Sequence, residues 1–236
     1  VSTQPTTVNA ADRTLEALVR PPDWQNPRPQ RTYDLVVIGG GTAGLVSAVG
    51  AAGLGARVAI VERDQLGGDC LITGCVPSKA ILRTARAVGE LRRAAGLGIR
   101  ATGVDLNFSE VMTRMRQRRA GLAVNDSAQR LSGLGIDVFF GDASFISARE
   151  IAVSSATLRF TRAVIATGSR PSSPPIDGLS ATAYLTNETI FELTERPERL
   201  LVIGGGPVGC ELSQAFARLG SRVTLFDQAQ RLLTND

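Results

Sequence analysis

The chain has 236 residues, 43% of them hydrophobic and 20% charged, with a formal net charge of +4. That balance belongs to one or two globular domains, and no apolar run reaches the roughly 18 residues that a bilayer crossing requires. With no histidine and only three cysteines, the composition argues against a zinc centre and against a disulfide-stapled secreted scaffold.

Residues 1–31 read as an N-terminal extension and linker. Asn9 is placed to cap a helix over Ala10–Val19 with Leu15, Leu18 and Val19 on one face. Pro21, Pro22, Pro27 and Pro29 then make a stiff connector. The segment is polar and lacks the apolar core of a secretion signal, so a cytoplasmic location is expected.

From Tyr33 the pattern changes. Leu35–Ile38 is a continuous apolar run, as in a parallel strand buried on both faces. It leads into Gly39-Gly40-Gly41-Thr42-Ala43-Gly44, a helix to about Leu54, and a second buried strand, Val58–Val61, that ends at Glu62. The unit recurs 165 positions later: Leu200–Ile203, Gly204-Gly205-Gly206-Pro207-Val208-Gly209, a helix to Leu219, and Val223–Phe226 ending at Asp227. A lone GxGxxG is weak, but here a strand precedes it, a helix follows it and an acid closes the unit in both copies. The glycines let the backbone approach a pyrophosphate at the helix N-terminus, and Glu62 and Asp227 are placed to accept from ribose hydroxyls. Two dinucleotide sites are the expectation.

Between the copies the sequence predicts helices over Ser78 to about Ala95, near Ser109–Arg119 and over Asp126–Leu134. Short strands follow at Ile136–Phe140, Ile151–Val153 and Leu158–Phe160, and a further buried strand at Ala163–Ala166 runs into Thr167-Gly168-Ser169. Arginines recur at helical spacing at Arg83, Arg86, Arg92 and Arg93, and again at Arg114, Arg116, Arg118 and Arg119. No aromatic residues interleave with them, so they read as solvated helix faces rather than a nucleic-acid surface.

Cys70 and Cys75 lie in Gly67-Gly68-Asp69-Cys70-Leu71-Ile72-Thr73-Gly74-Cys75-Val76-Pro77-Ser78-Lys79. On a regular helix, residues five apart are separated by a rise of roughly 7.5 Å, beyond the usual Cα span of a disulfide, about 6.8 Å at most. A bridge therefore demands a distorted segment, which Gly74 and Pro77 permit. Lys79 is the chain's only lysine among 26 cationic residues, and a cation beside a cysteine favours the reactive thiolate. Cys210, at the start of the helix after the second glycine turn, reads as a packed small residue.

The GG-x-C-x4-C-x-PSK segment, together with the two glycine units, resembles the class I flavoprotein disulfide reductases over about residues 33–236. The group includes dihydrolipoyl dehydrogenase, glutathione reductase and mercuric reductase, and the phrasing is most similar to the mercuric reductase-like branch. The resemblance implies an α/β Rossmann-type fold, a parallel sheet with a small antiparallel β-meander. It implies a first segment of an FAD-binding domain over 32–178 and an incomplete NAD(P)-binding domain over 179–236.

The first unit would hold FAD through Gly39, Gly41, Thr42, Ala43, Gly44, Glu62, Arg63, Gly68, Asp69, Ala143, Ala166, Thr167 and Gly168. Gly204, Gly206, Gly209 and Asp227 would hold NAD(P)H, with NADH favoured because Asp227 repels a 2′-phosphate. Cys70 is similar to the thiol that meets the substrate, and Cys75 to the flavin-side thiol. Lys79 is similar to the lysine near flavin N5, paired with Glu211. The sequence departs from the family at Asp69, commonly threonine, and at Ile72, commonly asparagine. The resemblance further implies a longer parent enzyme, homodimeric through a C-terminal domain, with a disulfide or metal-ion substrate. These 236 residues alone would then be a flavin-binding module without turnover.

Overall fold

A computed structural model describes residues 9–30, 32–100 and 105–233. They divide into two compact units, one drawn from 8–72 and 119–172, the other from 73–118 and 173–236. None of their helices is long and apolar enough to cross a membrane.

The first unit is built on a six-stranded sheet. Helix α1 (Ala10–Val19) precedes β1 (Tyr33–Ile38), α2 (Thr42–Gly53), β2 (Val58–Glu62) and the short α3 (Gly68–Ile72). The order of strands is β3-β2-β1-β6-β5-β4, with β3 (Ile136–Phe140), β4 (Ala143–Ser147), β5 (Glu150–Val153) and β6 (Ala156–Ile165). The pairs β3–β2, β2–β1 and β1–β6 are parallel, whereas β4–β5 and β5–β6 are antiparallel. One long strand makes this mixture possible. Ala156–Arg159 of β6 pairs with β5, and Phe160–Ile165 pairs with β1. The apolar run of β2 is buried along Val58–Val61, as a strand covered on both faces requires. Tyr33, Val36, Phe139, Ile151 and Leu158 close the core beneath the sheet.

The second unit carries α4 (Cys75–Arg93), most of α5 (Phe108–Ala123), β7 (Arg199–Ile203), α7 (Pro207–Arg218) and β8 (Arg222–Phe226), with β7 and β8 paired in parallel. The helix α6 (Ala128–Gly133) belongs to the first unit. Ile81 and Val88 of α4, Met112 and Met115 of α5, and Phe216 of α7 form one cluster, to which Phe191 is added. The rings of Phe108 and Phe216 sit 6.0 Å apart.

Several elements differ from the sequence expectation. Helix α4 begins at Cys75, not Ser78, because Pro77 falls in the first turn, where its missing N–H is not needed. The strands expected at 158–160 and 163–166 merge into β6, and β4 appears where no strand was expected. Its residues from Ser144 onward are exposed, so they carry no alternation to read. The arginines of α5 do not all face solvent. Arg116 and Arg119 are buried, Arg116 donating to the carbonyls of Phe191 and Leu193 and Arg119 to that of Ile72.

Candidate active site

The first glycine turn follows β1 directly. Gly39 has a φ of +104°, and a Cβ there would lie 2.2 Å from the Ala166 carbonyl oxygen. A Cβ on Gly44 would lie 1.8 Å from the Gly39 carbonyl oxygen. Only glycine allows both approaches. Gly41 is the N-cap of α2 and supplies no side-chain cap. The first intrahelical bond there, Leu45 N–H to the Gly41 carbonyl, leaves the amides of Thr42, Ala43 and Gly44 facing outward. Three such amides at a helix N-terminus are a seat for a pyrophosphate.

The other sequence-predicted residues of the first unit gather around this turn. Glu62, at the end of β2, accepts from the Gly40 N–H at 2.6 Å and from the Asp64 N–H at 2.7 Å. A carboxylate offers about four acceptor sites, so Glu62 keeps capacity for ribose hydroxyls. Gly67 forms a bridge with Gly41, and Gly68 opens α3 against the Gly41 backbone. Ala166 donates to the Ile38 carbonyl, which sets Ala166–Gly168 beside Gly39. Gly141 donates to the Glu62 carbonyl, and Ala143 begins β4 two residues on. These features fit a dinucleotide of the FAD type.

The second unit repeats the device. Gly204 has a φ of +108°, and a Cβ on Gly209 would lie 1.9 Å from the Gly204 carbonyl oxygen. Gly206 is the N-cap of α7, and Pro207 occupies the first turn. Proline in the place of Thr42 removes one amide from this seat. Asp227 accepts from the N–H groups of Ala229 and Gly205, and these bonds hold its carboxyl below the usual carboxylate range. The loop behind the acid closes in the same way in both units: Gly67 N–H donates to the Gly40 carbonyl at 2.8 Å, and Leu233 N–H to the Gly205 carbonyl at 3.0 Å. Cys210 is half-buried and its thiol donates to the Gly205 carbonyl. It packs behind the turn, consistent with the sequence reading.

The helical run expected to be distorted between the cysteines is broken. Helix α3 ends at Ile72, α4 starts at Cys75, and Gly74 between them has φ −130° and ψ −111°. Cys70 is half-buried in α3 of the first unit, next to Asp69. Cys75 opens α4 of the second unit and is exposed. Lys79 lies one turn beyond Cys75, and its Nζ reaches both carboxylate oxygens of Glu211 on α7 at 2.7 Å. Both side chains are partly exposed, so the contribution to stability is small, about 0–1 kcal/mol. What the pair fixes is the position of a cation one turn from a thiol.

A strand–glycine turn–helix unit with an acid closing it, present twice, is the architecture of dinucleotide-binding proteins. The chain belongs to the pyridine nucleotide-disulphide oxidoreductase family, whose family model matches residues 33–236. This is a family of FAD-dependent oxidoreductases that use FAD and NAD(P)H. The chain is 37% identical over 201 residues to the mercuric reductase of Lysinibacillus sphaericus, covering 85% of this chain and 37% of that protein. It is 34% identical over 217 residues to the dihydrolipoyl dehydrogenase of Bacillus subtilis, covering 86% and 46%. Among solved structures it matches the HOCl-induced flavoprotein disulfide reductase RclA from Escherichia coli, with a TM-score of 0.72 at 29% identity, over 85% of this chain and 43% of that one. The chain thus spans less than half the length of these relatives.

Proposed function

We propose that the full protein passes a hydride from NAD(P)H through FAD to the Cys70–Cys75 pair and on to a disulfide or metal-ion acceptor. The observation that carries this reading is the origin of the cysteine segment in the wall of the first cradle: Gly67 bridges Gly41, and α3, bearing Cys70, starts one residue later. When bound, FAD would supply the two-electron relay between nicotinamide and thiols. The amides of Thr42, Ala43 and Gly44 would neutralise its pyrophosphate, and Glu62 would orient its ribose. Lys79, held by Glu211, would keep a positive charge near the flavin ring.

With a disulfide acceptor, the Cys70 thiolate attacks one acceptor sulfur, and the other leaves as a thiol after protonation. The Cys75 thiolate then attacks the Cys70 sulfur and releases the second acceptor thiol. Two electrons have moved to the acceptor, and Cys70 and Cys75 end joined. A cytoplasmic homodimer is part of the same proposal. For the 236 residues by themselves we propose flavin binding without turnover, since they contain no histidine to serve as the general acid and base.

The test is direct. The full-length protein is expected to purify yellow and to release FAD, not FMN, on heat denaturation, as read by chromatography of the supernatant. Colourless protein that takes up no FAD after reconstitution would exclude the reading. The second cradle adds a prediction on specificity. Asp227 would meet a 2′-phosphate with like charge, so kcat/KM for NADH is expected to exceed that for NADPH by about tenfold or more. Steady-state kinetics with both nucleotides would show it, and a preference for NADPH would refute it.

A further inference from the structure

The family match begins at residue 33, yet the segment before it is tied into the first cradle. Arg20, just past the end of α1, donates from Nη1 to the carbonyl oxygens of Arg63 and Asp64, both at 2.9 Å. Its neighbour Val19 accepts from the Leu66 N–H at 3.1 Å. The guanidinium also stacks over Phe140, with Cζ 4.6 Å from the ring centroid. Residues 63–66 are the stretch that follows Glu62. Its other contacts are with the cradle itself: Asp64 N–H to Glu62, and the Leu66 side chain against Gly40. One side of this loop therefore faces the nucleotide seat and the other is hydrogen-bonded to the extension.

The grip extends along the chain. Asp12 in the first turn of α1 pairs with the buried Arg119 at 3.0 Å, and the same guanidinium donates to the carbonyl of Ile72, the last residue of α3. Beyond α1, Trp24 donates to the Val138 carbonyl, and Asn26 exchanges two hydrogen bonds with the Phe140 backbone along the edge strand β3. The extension thus holds both ends of the 63–72 run, which leads from the cradle acid to the helix of Cys70.

We propose that residues 10–20 are a strap that positions the 63–66 wall of the first cradle for the adenosine half of FAD, with Arg20 as the positioning residue. The chemistry is specific. Two carbonyl oxygens of a loop with no regular structure are neutralised by one charged donor, and charged hydrogen bonds are stronger than neutral ones. Without Arg20 the loop loses two of its fixed points, and an ordered wall must then form at the expense of binding energy. Because a single nitrogen serves both carbonyls, a lysine ammonium with three donors can take over that part of the role, though not the stacking on Phe140.

This inference rests on the first cradle being the FAD site. The experiment uses full-length apoprotein, titrated with FAD by quenching of flavin fluorescence, with thermal melts of each apoprotein alongside. Arg20→Ala is expected to raise the Kd for FAD by about tenfold, with an apoprotein Tm close to that of the parent. Arg20→Lys, which keeps a charged donor for the two carbonyls but loses the stacked guanidinium, is expected to recover part of the affinity. Asn26→Ala, which removes only the contact with β3, is expected to lower Tm and leave the FAD Kd unchanged. If Arg20→Ala cannot be recovered folded, Arg20→Gln is titrated in its place with the same expectation. A parent protein that binds no FAD would sink the assignment of the cradle. A parent that binds, with Arg20→Ala or Arg20→Gln binding equally well or losing affinity only in step with Tm, would overturn the strap alone.

Discussion

Replacing Cys75 by serine in the full-length protein is expected to abolish the long-wavelength absorbance of the reduced form, whereas Cys70→Ser is expected to leave a permanent band. The reason lies in the division of labour proposed for the pair. Cys75 would be the thiolate that donates charge to the flavin, and Cys70 the thiol that meets the acceptor. With Cys70 gone, Cys75 has no partner to form a disulfide and stays reduced. Each substitution removes a nucleophile that the exchange sequence requires in turn. Turnover with any disulfide is therefore expected to fall on the order of 10³-fold or more in both variants. Absorbance spectra under anaerobic conditions check the assignment, and the opposite spectral pattern would exchange the two roles.

The second large effect concerns the cradle. Gly44→Ala is expected to remove detectable FAD binding, with a rise in Kd on the order of 100-fold or more and a lower melting temperature. A methyl group there would sit 1.8 Å from the Gly39 carbonyl oxygen, well inside van der Waals contact, so the turn and the helix must part. Gly50, six residues further along α2, gives the control. Beyond its own helix backbone and chain neighbours, no atom lies within 4 Å of a Cβ built there, and Gly50→Ala is expected to stabilise by about 0.4–1 kcal/mol with FAD affinity unchanged. Fluorescence titration and thermal melts of the two variants separate close approach from helix propensity. Equal behaviour of the two would show that the Gly44 contact is not what forms the seat.

Elements with short, periodic signals were legible in the sequence. Leu35–Ile38 and Val58–Val61 are continuous apolar strands, and the glycines between them report close backbone approach, so β1, α2 and β2 follow from the sequence alone. The break between the cysteines was legible for a similar reason: a five-residue spacing does not suit a bridge on a continuous helix, and Thr73–Gly74 interrupts it.

Long-range contacts were not legible. The helices spanning 75–118 join the second glycine unit through pairs such as Phe108 and Phe216, which no local pattern announces. Arg116 and Arg119 sit at the helical spacing of a solvated face, yet both are buried because distant carbonyls receive them. The anchoring of the N-terminal extension was opaque for the same reason. Arg20, Trp24 and Asn26 act by side-chain bonds to backbone groups 43 to 114 residues away, and the proline-rich connector around them resembles any other linker.

Cys70 and Cys75 are proposed as a redox pair reduced by pyridine nucleotide. Both lie between Arg63 and Lys79, so a tryptic digest delivers them on one peptide, residues 64–79. The decisive measurement is to alkylate the full-length holoprotein anaerobically, with and without NADH, and to weigh that peptide. An unalkylated, internally bridged peptide is expected from the oxidised protein and a doubly alkylated one after NADH. Full alkylation in both samples, with no NADH consumed, would contradict the proposal.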